Sequence, residues 1–205
     1  MSQFFQIHPE NPQPRLIKQA AEAIARGEVI VYPTDSGYAL GCGIGEKHAL
    51  DRICAIRRLD ERHNFTLTCR DLSQIGTYAK VDNTAYRLIK NLTPGPYTFI
   101  LPATREVPRR LQQAKRKTIG IRVPGNPIAQ ALLEAVGAPL MSTTLILPGQ
   151  EHPENDPYEI RQMLERQVDL IIDGGYGGLE PTTVIDFQEG VPVVVRQGLG
   201  DTSML

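Results

Sequence analysis

The sequence predicts an α/β fold, one mixed sheet with covering helices, and three observations carry that reading. Short β-branched runs alternate along the chain with segments whose apolar residues recur at helical spacing. The C-terminal part closes with three apolar runs, VDLIIDGG, TTVIDF and VPVVVRQG, which read as hairpin-like strands. A chain of 205 residues, 41% hydrophobic and 22% charged, has an ordinary globular balance and enough length for one substantial core, so one domain over 1–205 is expected.

The elements follow in order. Asn11-Pro12 supplies a capping side chain and a proline for a first helix, with Leu16, Ile17, Ala20, Ala23 and Ile24 as its apolar stripe and Gly27 as its stop. EVIVYP (28–33) is short, β-branched and closed by proline, which makes it a buried strand. Residues 46–56 read as helix, FTLTC (65–69) as strand and TAYRLIKNL (84–92) as helix. YTFILPA (97–103) is a strand entered from the Pro94-Gly95-Pro96 turn. TIGIRVP (118–124) is a strand, NPIAQALLEAVG (126–137) a proline-started and glycine-stopped helix, and PLMSTTLIL (139–147) a strand; a helix near 157–166 precedes the last three strands. GQEHPENDP (149–157) is polar and proline-bearing, an expected exposed loop or lid. No internal repeat or low-complexity linker interrupts the pattern.

Composition narrows the function classes. Cys42, Cys54 and Cys69 are odd in number and unclustered in a chain too long to need disulfide staples, which fits a reducing compartment. MSQFFQIHPENP has neither the basic start nor the apolar core of a signal peptide, and no stretch approaches membrane-spanning length, so a cytosolic protein with no membrane partner is expected. Net charge is −1, yet charge is segregated. Between Arg52 and Arg122 fifteen Lys or Arg face five acids, +10, which leaves seven basic against eighteen acidic residues, −11, elsewhere. Such a segment is either a set of solvated helix faces or a field that concentrates phosphates.

Several chemistries are excluded or disfavoured. Gly41, Gly43 and Gly45 form G-x-G-x-G rather than the dinucleotide G-x-G-x-x-G, so a turn-forming role is expected for them. His8, His48, His63 and His152 are scattered and no C-x-x-C occurs, which rejects a structural metal. Neither a G-x-S-x-G elbow nor a P-loop is present. What remains is polar residues at predicted strand ends, where open α/β sheets carry ligands: Thr34 and Asp35, Thr98, Arg122, and Ser142, Thr143 and Thr144. The Ser-Thr-Thr run equally satisfies β propensity alone. Arg122, in a strand with Ile119 and Ile121, needs a carboxylate or a phosphate partner, an internal salt bridge or a ligand.

VIVYPTDSGYALGC, PGPYTFILPA, IGIRVPGNP, PLMSTT and DGGYGGLEPTTVID occur in the order typical of the YrdC-like family, the threonylcarbamoyl-AMP synthase family, which the sequence therefore resembles over nearly its whole length, and most closely in its YciO branch. The resemblance implies a twisted sheet with a wide concave, positively charged face. It further implies an ATP/AMP-type nucleotide with Mg2+, threonine and bicarbonate as ligands, formation of threonylcarbamoyl-AMP for tRNA modification, and binding of double-stranded RNA. Thr34 matches the family's P-T-[DE] threonine, Thr98 its P-G-P-x-T threonine, Arg122 its R-x-P arginine, Arg196 its late arginine, and Ser142 with Thr143 the start of S-T-S-A-N.

Two motifs depart from it. Arg57, Arg58 and Leu59 stand where the family has K-x-R, and Thr144, Leu145 and Ile146 where it has S-x-N. A planar guanidinium does not reproduce an ammonium's contacts, and one lost transition-state donor typically costs several kcal/mol. The leading expectation is thus a nucleotide- and RNA-binding protein, with structured RNA such as tRNA or ribosomal RNA along Arg57, Arg58, Arg62, Lys115, Arg116 and Lys117. The rival is a synthase with a relaxed site: Thr34, Thr98 and Arg122 would hold threonine, and Ser142, Thr144 and Arg196 the nucleotide, with Arg57 and Arg58 as further nucleotide ligands.

Overall fold

In the computed structural model, which describes residues 1–60, 63–187 and 191–205, ten strands form one mixed sheet. The strands are β1 (Gln3–Gln6), β2 (Ile30–Thr34), β3 (Gly37–Gly43), β4 (Thr66–Thr68), β5 (Tyr97–Pro102), β6 (Thr118–Arg122), β7 (Leu140–Thr144), β8 (Leu170–Asp173), β9 (Thr183–Asp186) and β10 (Val193–Arg196). Their order is β1-β8-β2-β3-β7-β4-β6-β5-β9-β10. Six helices cover it: α1 (Pro14–Ala25), α2 (Lys47–Arg57), α3 (Leu72–Tyr78), α4 (Asn83–Leu92), α5 (Pro127–Val136) and α6 (Pro157–Leu164). The predicted α/β class is therefore the observed one.

Alternation along the strands sorts the side chains into two layers. On one face Val31, Leu40, Leu67, Phe99, Ile121 and Ile185 join the buried residues of α2, α3, α4 and α6 in the larger core. On the other, Ile30, Tyr32, Ala39, Leu140, Leu170 and Ile172 pack under α1 and α5. That second layer ends at β7. Beyond it the same face carries Thr66, Thr98, Ile100, Gly120 and Val184, which line an open cleft instead of a core.

Three local expectations need correction. The first helix starts at Pro14, not near Pro12, because residues 8–13 close on themselves: His8 Nδ1 accepts from the Glu10 and Asn11 amides and Gln13 accepts from His8 N at 3.0 Å. The glycine cluster is mostly strand, since Gly37–Gly43 is β3, paired on one side with β2 and on the other with β7. Gly41 is required there by packing: a Cβ would meet the Tyr32 ring at 2.9 Å. Strand β1 and helix α3 had no sequence expectation. Loop 149–157 is exposed at its tip but anchored beyond it, where Pro153 and Glu154 are buried, Glu154 N donates to Leu145 O at 2.8 Å and Gly177 N to Asn155 O at 2.8 Å. No described helix is long and apolar enough to cross a membrane.

Candidate functional site

The cleft has a volume of about 330 Å3, within the range of small-molecule sites. Its floor is the sheet. Thr66 pairs in register with Gly120 on one side and Ser142 on the other, and Gly120 pairs with Ile100. The absent side chain of Gly120 keeps the floor low, because a Cβ there would meet Thr66 Oγ1 at 2.7 Å. Arg57 and His63 stand at one wall, and Thr182 and Arg196 at the other. Among the described lining residues none is a carboxylate, so the cleft is built for negative charge.

Arg122 lies on the same face of β6, beside the cleft. It follows the Phe99↔Ile121 pair that Thr98 precedes, which makes Thr98 and Arg122 cross-strand neighbours, with Thr68 in register on the far side. Arg122 is 5% exposed; Asp35 accepts from its Nη2 at 3.4 Å, and Nε has no partner. Asp35 also accepts from Gly125 N at 3.1 Å, which ties the turn after β2 to the start of α5. Of the two explanations of Arg122 left open by the sequence, the carboxylate partner is present, but at a long contact that uses few of its donors. Thr34 Oγ1 is committed to Gly37 O at 2.6 Å.

Tyr32 organises the floor between them. Its ring lies against Gly41, and its hydroxyl sits 2.9 Å from Ser142 Oγ and 3.4 Å from Thr68 Oγ1. Burial pushes this phenol above its ordinary range, against the pull of those two hydrogen bonds. On the far wall Arg196 donates to Thr182 O at 2.8 Å, and Thr182 Oγ1 meets Thr98 Oγ1 at 2.8 Å, a chain that runs from β10 to β5. On the near wall Arg57 Nη1 donates to Thr143 Oγ1 at 2.6 Å and to Thr144 O. Burial lowers the pKa of Arg57, Arg122 and Arg196 alike. Guanidinium stays charged regardless, so each carries a desolvation cost that an anion in the cleft would offset.

His63 completes the near wall. Its Nε2 is 3.3 Å from Thr143 Oγ1 and its ring stands edge-on to Phe65. Burial first, and the Arg57 charge second, lower its pKa to about 4, against a smaller opposing effect of Asp60. In the unfolded chain an ordinary histidine binds its proton near pH 6.5. Between about pH 6.5 and 4 the unfolded state therefore holds the extra proton, and stability falls as pH falls. His63→Gln is expected to remove up to about 2 kcal/mol of that pH dependence, read as a flatter curve of denaturation midpoint against pH.

The structure brings Arg57, Thr98, Thr143, Thr144 and Arg196 into one cleft and sets Arg122 and Ser142 against it. Arg58 is different: it caps α2 in the left-handed region (φ 51°), is exposed and does not line the cleft, so it does not take the place of the family arginine missing at Leu59. Arg62 lies outside the described residues. Lys115, Arg116 and Lys117 are exposed on the loop before β6, and Arg116 pairs with Asp186 at 2.6 Å. Tyr32, Thr182 and His63 were not singled out as ligands from the sequence. Only the polar tip of Tyr32 in an otherwise apolar strand could have flagged one of them. Among the described residues no cluster of acids, histidines or cysteines is placed to hold a metal. No step below runs through a protein-bound metal ion.

The Sua5/YciO/YrdC family model, described as telomere recombination, matches residues 22–198. The chain belongs to that family. YciO of Escherichia coli K12 is 68% identical over 98% of both chains, and the E. coli YciO crystal structure superposes with a TM-score of 0.96 at 67% identity, covering 99% of this chain and 98% of that one. A threonylcarbamoyl-AMP synthase of Halorhodospira halophila is 32% identical over 89% of this chain and 95% of its own. P. abyssi Sua5 complexed with L-threonine superposes with a TM-score of 0.87 at 27% identity; this Sua5/YciO/YrdC chain covers 57% of it, and 95% of the present chain is matched.

Proposed function

We propose that the cleft binds threonine and an adenine nucleotide side by side and forms threonylcarbamoyl-AMP, at a rate lowered by its two altered motifs. The observation that carries this reading is Arg122, buried and under-paired beside Asp35. A guanidinium and a carboxylate 3.4 Å apart match the two charges of an α-amino acid. Thr34 and Thr98 would complete the threonine pocket, and Ser142, Thr144, Arg57 and Arg196 would face the nucleotide. Membership of a family with threonylcarbamoyl-AMP synthases, one of 32% identity, supports the same ligands.

In this reaction the threonine amine and bicarbonate give a carbamate with loss of water. The carbamate oxygen then attacks the α-phosphorus of ATP, and the bond to the bridging oxygen breaks as pyrophosphate leaves. Negative charge builds on the phosphate oxygens, where Arg57 and Arg196 are held by fixed partners on opposite walls. The experiment is formation of threonylcarbamoyl-AMP from labelled bicarbonate, threonine and Mg-ATP, with each substrate omitted in turn. Product that needs all three supports the reading; none at any enzyme concentration would overturn it.

RNA binding is a second reading, favoured by one topological observation. The registers Thr66↔Ser142 and Thr66↔Gly120 place the N-terminal ends of β4 and β6 and the C-terminal end of β7 at one end of the sheet. Arg57 and Arg58, which lead toward β4, therefore share that end with Lys115, Arg116 and Lys117, which lead into β6. Exposed Lys115 and Lys117 would act as phosphate contacts. Changing both to glutamate is expected to weaken binding of structured RNA and to reduce the slope of log affinity against log salt by about 2. An unchanged slope would remove this loop from the interface.

A further inference from the structure

The near wall of the cleft holds a chain of hydrogen bonds that ends on a titratable ring. Arg57 Nη1 donates to Thr143 Oγ1 at 2.6 Å, which leaves the hydroxyl its own proton and a second lone pair, and His63 Nε2 lies 3.3 Å away. The contact therefore suits either state of the ring: neutral with its proton on Nδ1, Nε2 accepts from the hydroxyl, and protonated, it donates to the free lone pair. Around the ring stand Arg57 from α2, Asp60 on its own loop and Thr143 from β7, with Arg196 lining the same cleft on β10. Among the described lining residues His63 alone can change charge in mildly acidic solution.

We infer that His63 takes up a proton when nucleotide phosphates enter the cleft, so that the near wall gains a second positive charge beside Arg57 only when an anion is there to meet it. The inference rests on the cleft being a nucleotide site. Its physical basis is that two cations side by side repel each other in an empty cleft, whereas a triphosphate between them reverses the sign of the local potential. In the free protein burial opposes the charge by stripping water from the ring, and Arg57 opposes it by like-charge repulsion. The bound phosphates supply a counter-charge. The balance is one proton and one nucleotide bound together, with the proton drawn from solvent.

The test is the protonation state of the imidazole at pH 6, read from 15N shifts of histidine-labelled full-length protein with and without saturating ATP. His63→Gln assigns the signal among the four histidines. The expected result is a neutral Nδ1–H ring in the free protein and a predominantly protonated ring with ATP. A bound-state pKa near histidine's ordinary ~6.5 also makes ATP affinity rise about 4-fold more from pH 8 to pH 6 in wild type than in His63→Gln. ATP that binds at pH 8 and pH 6 while the ring stays neutral would overturn this inference and leave the nucleotide site standing. ATP that does not bind at either pH would overturn both.

Discussion

Replacing Arg122 with methionine is expected to lower threonylcarbamoyl-AMP formation by roughly 100- to 1,000-fold while leaving the melting temperature unchanged or raised. The two halves of this expectation come from one geometry. Arg122 is 5% exposed and its contact with Asp35 spans 3.4 Å, so the desolvation of a guanidinium is poorly repaid within the chain. Methionine fills similar volume without a charge, and Asp35, less buried than Arg122, keeps its bond from Gly125 N. If the ion pair held the fold together, breaking it would cost about 3–5 kcal/mol and lower the melting temperature sharply. Thermal melts of the variant beside its initial rate separate the two roles. A stable, inactive variant is the signature of a ligand-binding arginine, and an unstable one would return Arg122 to structure.

Ile146→Asn is expected to work in the opposite direction, raising the rate of threonylcarbamoyl-AMP formation by about 10-fold. Ile146 lines the cleft where family synthases have the asparagine of S-x-N, and its backbone N donates to Thr144 O at 2.9 Å in a tight turn after β7. That turn is held by main chain, so the side chain can change without moving it. A well-placed transition-state donor is worth about 3 kcal/mol, and about half of that corresponds to the expected gain. Ile146 is half-buried at the cleft surface, so the new amide keeps access to water and the cost to stability stays within about 0.5 kcal/mol. Steady-state rates with saturating threonine, bicarbonate and Mg-ATP measure the effect. A variant no faster than wild type would mean that Arg57, fixed on Thr143 and Thr144, limits the reaction instead.

The sequence by itself determined the elements whose apolar residues have a period. EVIVYP, YTFILPA and TIGIRVP reappear as β2, β5 and β6 because their branched and aromatic residues fit only a buried, pleated surface. NPIAQALLEAVG is α5 from its Asn126 cap, which accepts from the Ile128 and Ala129 amides, to its left-handed Gly137. Strand β3 carries three glycines in seven residues and shows no such period, so its place at the centre of the sheet was invisible. The same holds for β1, four residues whose identity as a strand rests on its register with β8.

The site divides along the same line. Thr34, Thr98, Arg122 and Arg196 could be picked out as candidates because they sit at or near strand ends and match family motifs, and Ser142, in the middle of β7, by its motif alone. Their partners could not. Tyr32 meets Ser142 across 110 residues, Arg122 meets Asp35 across 87 and Thr143 meets His63 across 80. Such contacts depend on which strands neighbour each other, and the order β2-β3-β7-β4-β6-β5 is set by the packing of both helix layers rather than by any local propensity. Residue chemistry was therefore readable one position at a time, whereas the desolvation of Arg122, the neutrality of His63 and the bare half of the sheet exist only once those strands are side by side.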